Sequence, residues 1–289
     1  MRLSEALCQY LVQLEADGRS PHSIAQARRH GRLIVAALAD PPVDRIKSED
    51  IARVFVSPTV KNTFDGRPRR ASSANALRSS ARSLFAFLAN ARLAPTNPAR
   101  LLRRARVAPT RPRAISESDI EVLLRALDGA RTPVELRDRA LILTLLRAGT
   151  RIGSAVGLDV EDLDLDAGEA RLRRLKNGGE DVIQLMPDLV AVLKPYVGVR
   201  TSGPLFPTEA GGRLTTRQAA RRLAEWCDRA GLAKRASPHQ FRHAFAERAY
   251  EACGDVLLVA AALTHKTPAS TMRYVRPSAS RIRAALAAG

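Results

Sequence analysis

The sequence has little of what several classes of protein require. Aromatic residues make up only 4% of its 289 residues. This low content argues against a surface that binds single-stranded nucleic acid by stacking its bases, because such a surface is rich in aromatic side chains. The three cysteines, Cys8, Cys227 and Cys253, lie far apart and form no CxxC pair. A disulfide scaffold or a cysteine-based zinc site is therefore not expected, and each cysteine is interpreted as a small buried residue of a helix.

Long apolar runs are also missing, although 45% of the residues are apolar and can build packed cores. The longest stretches, such as residues 256–263, are too short to span a bilayer, and residues 1–10 have no apolar run typical of a secretory signal. No metal-ligand cluster and no glycine-rich phosphate loop stand out, so neither a metal nor a cofactor is expected. The expected location is the cytoplasm, in association with the nucleoid.

Positive charge is abundant. The chain has 41 Arg, 6 Lys and 29 acidic residues, which gives a net charge of +18. Codon usage explains the preference for Arg over Lys but not the surplus of charge, which favours a polyanionic partner because each neutralised phosphate releases counterions. Residues 1–109 carry 19 basic and 8 acidic residues, a net charge of +11. We expect this part of the chain to grip nucleic acid.

The N-terminal part of the chain is predicted to form four helices. Leu3, Leu7, Leu11 and Leu14 recur at helical spacing before Gly18, and Ser20-Pro21 has the form of a cap and first helical position. A short helix is expected after a cap at Ser48. Another helix follows Ser72 or Ser73 and carries apolar residues at helical spacing. Four such helices can form a small bundle, to which we assign residues 1–99.

Six arginines and two prolines mark residues 100–113 as a basic linker, interpreted either as a solvated connection or as a strap that joins two domains around a duplex. Residues 114–289 form the second predicted domain. Ser116 begins its first helix, an apolar helix runs from about 135 to 148, and residues 162–166, 170–176 and 181–185 alternate as short strands. Helices are predicted again near 189–197, 216–230, 238–253 and 256–263. The fold class is therefore mainly α (α+β), with one small three-stranded antiparallel sheet.

One dense cluster of polar residues begins the helix at Ser237-Pro238. His239 and Arg242 are three residues apart on its first turn, where free N–H groups and a planar guanidinium both attract anions. A capped, partly exposed helix start is the alternative interpretation of an isolated HxxR. Further along the chain, Leu263-Thr264-His265 precedes Tyr274.

Two more polar residues complete the set. Arg151, within Gly149-Thr150-Arg151, is placed at the end of an apolar helix, where the helix dipole favours cations. Lys176 is placed at the tip of the second hairpin, from which it can reach a ligand in a groove.

In this order, the six residues Arg151, Lys176, His239, Arg242, His265 and Tyr274 resemble the signature of the tyrosine recombinase (phage integrase) family. The nine-residue step from His265 to Tyr274 also matches the family. The likeness covers nearly the whole chain and is closest in size to simple Xer-type recombinases. The sequence departs from the pattern at two positions, with Ser154 in place of an acidic residue and Thr264 in place of a glycine.

The resemblance implies a helical core-binding domain followed by a catalytic domain, and a metal- and ATP-independent reaction on double-stranded DNA. Arg151, Arg242 and His265 would stabilise the transition state, His239 would be the base, Lys176 the general acid and Tyr274 the nucleophile. It also implies a homotetramer on two DNA sites that is joined by residues 280–289. A type IB topoisomerase and a non-catalytic DNA-binding regulator on the same scaffold are the alternatives.

Overall fold

A computed structural model describes residues 1–106, 114–173, 180–265 and 267–272, together with Arg283 and Ala287. The chain forms two compact units, Met1–Thr110 and Arg111–Gly289, and each is described here by itself. Within the described residues, no helix is both long enough and apolar enough to cross a membrane.

The first unit is a helical bundle. Its helices are α1 (Leu3–Ala16), α2 (Pro21–Leu38), α3 (Ser48–Val56), α4 (Pro58–Lys61) and α5 (Ala71–Asn90). The four longer helices were predicted from the sequence. The four-residue α4 was not, because a single turn is too short to show an apolar period.

Local signals explain where the helices of this unit begin. The Oγ of Ser20 accepts the Ser23 N–H at 3.3 Å, which caps α2 as predicted. The predicted cap of α3 is wrong by one residue, because Ser48 is already helical and Lys47 holds the cap position. The carboxylate of Asp50 accepts the Lys47 N–H at 2.8 Å there, so an acidic side chain within the first turn replaces the serine cap.

The second unit is mostly helical and contains the only sheet among the described residues. Its elements are α6 (Glu117–Asp128), α7 (Pro133–Arg147), α8 (Ile152–Gly157), β1 (Leu163–Asp164), β2 (Glu169–Arg173), β3 (Glu180–Gln184), α9 (Pro187–Val197), α10 (Thr216–Arg229), α11 (Pro238–Cys253), α12 (Val256–Ala262) and α13 (Pro268–Thr271). The predicted fold class, mainly helical with one small antiparallel sheet, is confirmed. The six-residue α8 was not predicted.

The sheet has the strand order β1-β2-β3, and both pairs are antiparallel. Ala170 lies opposite Ile183, and these two residues together with Leu172 turn their side chains into the core. Gly168, with φ of 70°, makes the turn between β1 and β2. The predicted second turn, which carries Lys176, lies outside the described residues.

A buried charge network joins α7 to α10. The carboxylate of Asp138 is fully buried and accepts hydrogen bonds from the guanidinium groups of Arg137 and Arg222 and from the indole N–H of Trp226. The distances are 2.7, 2.7 and 3.2 Å. Because each partner satisfies part of the buried carboxylate, the network fixes α10 against the apolar helix α7.

The cysteines differ from the sequence interpretation. Cys227 is buried, as expected, but Cys8 and Cys253 are exposed. Cys8 lies on the solvent-facing side of α1, and Cys253 is the last residue of α11. All three are free thiols.

Candidate active site

The structure describes four of the six predicted site residues, Arg151, His239, Arg242 and His265. They come from separate parts of the second unit: Arg151 directly precedes α8, His239 and Arg242 lie in the first turns of α11, and His265 follows α12. Lys176 and Tyr274 lie outside the described residues, so their placement remains a prediction.

Arg242 connects the segments that carry the other site residues. Its side chain is buried, with only 3% of the residue exposed. Nη1 donates to the carbonyl oxygen of Gly149 at 2.7 Å, and Nη2 donates to the carbonyl oxygen of Leu263 at 2.6 Å. Gly149 lies two residues before Arg151, and Leu263 lies two residues before His265. One guanidinium on α11 therefore holds both neighbouring segments at the start of that helix.

Gly149 allows its segment to approach α11 closely. Its φ of 58° is in the left-handed region that favours glycine. A Cβ at this position would lie 2.4 Å from Cδ1 of Phe245. The glycine is therefore required both by its backbone conformation and by the ring of Phe245, which lies one turn after Arg242 on α11.

The sequence predicted Arg151 at the end of the apolar helix, and this prediction is wrong. Helix α7 ends at Arg147, and Arg151 occupies the cap position of α8 with an extended backbone and an exposed side chain. Burial and the charge of Arg242 lower the pKa of both His239 and His265, and the positive charge of Arg151 lowers it further. The Arg151 side chain thus acts electrostatically on the two site histidines.

The imidazole of His239 is neutral near pH 7. Its pKa is lowered from 6.5 first by partial burial and then by the positive charges of Arg242 and Arg151. His243 lies one helical turn below it, with the two rings edge to face and their centroids 4.7 Å apart. Burial lowers the pKa of His243 to about 4. This second ring therefore packs against His239 without adding a positive charge. The four-residue spacing of His239 and His243 on a predicted helix could have indicated this contact, because such residues lie on the same face.

His265 is half-buried at the end of α12. Thr264 has a φ of 52°, and the hydrogen bonds from the Thr264 N–H to the Ala261 carbonyl and from the His265 N–H to the Ala260 carbonyl form a Schellman turn. Thr264, which stands where the family has a glycine, therefore adopts the left-handed backbone conformation that favours glycine. Burial, followed by the charges of Arg242, Arg151 and His239, lowers the pKa of His265 to about 4.

Taken together, two arginines and two neutral histidines occupy one region at the start of the 16-residue helix α11. Such a set suits a phosphate diester, because the guanidinium groups neutralise its charge while a neutral imidazole can accept a proton or donate a hydrogen bond. Ser154, the other departure from the family pattern, is half-buried on α8. No group of three or more potential metal ligands occurs within the described ranges.

Comparisons with known proteins cover most of the chain. Residues 113–281 match the model of the phage integrase family. The chain is similar to tyrosine recombinase XerC of Chromobacterium violaceum, at 26% identity over 94% of this chain and 90% of that protein. It is also similar to tyrosine recombinase XerC of Escherichia coli O139:H28, at 32% identity over 75% of this chain and 74% of that protein.

Solved structures show the same fold at low sequence identity. A lambda integrase dimer bound to a COC′ core site matches with a TM-score of 0.74 and 19% identity, over 95% of each chain. The XerH site-specific recombinase bound to a palindromic difH substrate, in a post-cleavage complex, matches with a TM-score of 0.73 and 17% identity, over 96% of this chain and 84% of that one.

Proposed function

The chain belongs to the phage integrase family as a Xer-like tyrosine site-specific recombinase, and we propose that it cuts and rejoins double-stranded DNA through a 3′-phosphotyrosine bond at Tyr274. The observation that carries this proposal is the pair of hydrogen bonds from Arg242 to Gly149 and Leu263. These bonds bring together three segments that each contribute a residue of the predicted set.

In the proposed reaction, the Tyr274 oxygen attacks the scissile phosphorus and the 5′-oxygen of the next nucleotide leaves. Arg151 and Arg242 stabilise the extra negative charge on the non-bridging oxygens, and His265 donates a hydrogen bond to one of them. The new phosphotyrosine ester retains the energy of the broken bond. A 5′-hydroxyl of a partner strand then reverses the step without ATP, and this completes strand exchange.

Two proton transfers accompany the attack. Tyrosine has an ordinary pKa of about 10 and is a weak nucleophile until it loses its proton. His239 accepts this proton, which its lowered pKa allows because the ring is neutral near pH 7. Lys176 protonates the leaving 5′-oxygen, a role that rests on the family match.

The role of Lys176 is tested with a 5′-bridging phosphorothiolate, whose sulfur leaves without protonation. We expect Lys176→Ala to slow cleavage of ordinary DNA far more than cleavage of this substrate. Equal defects on both substrates would remove Lys176 from the leaving-group step.

We propose that the working assembly is a homotetramer on two DNA sites. An apolar groove of about 960 Å³ lies on the second unit, and its lining includes Leu146, Val182, Met186, Phe245, Leu258 and Val259. The C-terminal residues Ile282, Ala285 and Leu286 have helical spacing in the sequence and suit such a groove. The proposed occupant is residues 280–289 of a neighbouring copy.

Two variants test the assembly. Deleting residues 280–289 and changing Leu258 to Arg should both leave single-site DNA binding unchanged while reducing synapsis of two sites. Val199→Arg is the matched control, because Val199 is 98% exposed and lies outside the groove. Full recombination by the truncated protein would show that the tail does not join the subunits.

The two alternative functions are separated by covalent trapping and synapsis. A nicked DNA site, chosen by in vitro selection for binding, should yield a covalent protein–DNA complex, which a non-catalytic regulator cannot form. Joining of two cut duplexes to each other then distinguishes a recombinase from a type IB topoisomerase, which reseals the strand it cut. We propose that the protein acts at the nucleoid, because its proposed substrate is double-stranded DNA.

A further inference from the structure

One hydrogen bond in the site has no role in the reaction described above. Nδ1 of His265 lies 2.7 Å from Oγ1 of Thr271. Thr271 is the last residue of α13, and its side chain is fully buried. Tyr274, the proposed nucleophile, follows three residues later in the sequence.

The proton on a neutral imidazole can occupy only one of its two nitrogens. The partner of one nitrogen decides which form is present. The oxygens of a phosphate diester carry no hydrogen at neutral pH and can only accept a hydrogen bond. If Nε2 of His265 donates to such an oxygen, Nδ1 must be the bare nitrogen and must accept a hydrogen bond from its own partner.

We propose that Thr271 is a positioning residue whose hydroxyl donates to Nδ1 of His265 and thereby places the ring proton on Nε2, the nitrogen that meets the scissile phosphate. This inference rests on the proposed function, because it takes a phosphate diester as the ligand of Nε2. The same hydrogen bond also limits rotation of the ring about χ2, because Thr271 is fully buried.

Geometry and electrostatics both favour this arrangement. The 2.7 Å separation is typical of a hydrogen bond that involves a hydroxyl. Burial and the charges of Arg242, Arg151 and His239 keep His265 neutral near pH 7, because they lower its pKa to about 4. A donor to Nδ1 stabilises the neutral ring that has its proton on Nε2, and among the described contacts of that nitrogen Thr271 supplies the hydroxyl.

The first test compares Thr271→Val with Thr271→Ser. Valine keeps the shape of threonine but removes the hydroxyl, whereas serine keeps the hydroxyl. We expect Thr271→Val to lower the single-turnover cleavage rate about 10- to 100-fold, in line with the loss of one buried hydrogen bond. Thr271→Ser should stay within about 3-fold of the unsubstituted protein, and DNA affinity should change little in either variant. A serine variant as slow as the valine variant would overturn the proposal.

A double-mutant cycle shows whether Thr271 acts through His265. In a His265→Ala background, Thr271→Val should change the remaining cleavage rate by less than about 2-fold, because the group it positions is gone. The same loss in both backgrounds would mean that Thr271 acts independently of His265, which contradicts the proposal.

Nitrogen-15 NMR of histidine-labelled Tyr274→Phe protein on its uncut DNA site reads the tautomer directly and does not depend on cleavage. The expected spectrum shows His265 with its proton on Nε2, and a proton on Nδ1 alone would overturn the proposal even if Thr271→Val fails to fold. Failure of the unsubstituted protein to cut DNA would instead count against the proposed function, so the two failures are distinguishable.

Discussion

Nη1 of Arg242 donates a 2.7 Å hydrogen bond to the carbonyl oxygen of Gly149, a residue 93 positions earlier in the chain. The bond ties the start of α11 to the segment that leads into Arg151. Because Nη2 of the same group holds Leu263, the position of Arg151 and the position of His265 both depend on one buried side chain. Changes that displace Gly149 should therefore affect the site as a whole.

Gly149→Ala is expected to destabilise the protein by more than about 2 kcal/mol, through left-handed strain and a clash with the ring of Phe245. The clash distance is 2.4 Å for the added Cβ. Cleavage should also fall, but by less than in an Arg242→Ala variant, which loses the transition-state charge as well as both hydrogen bonds, when both are assayed below their unfolding temperatures. Urea unfolding and single-turnover cleavage measure the two effects.

Gly157→Ala is the matched control for this substitution. Gly157 ends α8, and a Cβ there would meet no heavy atom within 4 Å. We expect its free energy of unfolding to stay within about 1 kcal/mol of the unsubstituted value. Equal destabilisation at both glycines would contradict the specific role given to Gly149.

Thr264→Gly should stabilise the protein. A β-branched residue with a φ of 52° is strained, and relief of this strain is worth about 1 kcal/mol after the added flexibility of glycine in the unfolded chain is subtracted. Thermal unfolding would show the gain as a higher melting temperature. Ala39→Gly in the first unit is an independent check, because Ala39 also has a left-handed backbone, with a φ of 57°. A loss of stability in both variants would refute the strain argument.

The pH dependence of cleavage should follow His239. Only the neutral ring accepts the tyrosine proton, and its pKa in the free protein lies below 6.5. The second-order rate constant for cleavage, which reports the free protein, should therefore be constant near neutral pH and fall only below about pH 6.5. An acidic limb centred above pH 7 would contradict the assignment.

Stability must be followed in the same pH series. The folded-state pKa values of His243 and His265 are about 4, below the ordinary value of 6.5. The unfolded chain binds more protons than the folded chain between these values, so the contribution of both residues to stability is lost as the pH falls through this window. Circular dichroism at each pH separates this loss from the protonation of His239.

The sequence predicted the elements that have strong local signals. Ser20-Pro21 and Ser237-Pro238 begin α2 and α11 as expected, because a cap and a proline at the first helical position act within a few residues. The short α8 escaped prediction because six residues carry too little apolar periodicity. The order and spacing of the six site residues were likewise visible in the sequence.

The contacts that assemble the site were not predictable in the same way. The bonds from Arg242 go to backbone carbonyls, which every residue possesses, so no residue type marks Gly149 and Leu263 as partners. The hydrogen bond between His265 and Thr271 involves a common side chain at a separation of six residues. Only the folded arrangement shows which threonine reaches the ring.

The central claim, that Tyr274 becomes covalently bonded to DNA, is tested most directly by mass spectrometry of the peptide trapped on a nicked DNA site. The chain has four tyrosines, and Tyr196 donates its hydroxyl to the Leu205 carbonyl at 2.7 Å. The account predicts that the nucleotide adduct lies on Tyr274 alone and that the Tyr274→Phe protein binds the site but gives no adduct. An adduct on Tyr10, Tyr196 or Tyr250, or a complex trapped with the Tyr274→Phe protein, would contradict it.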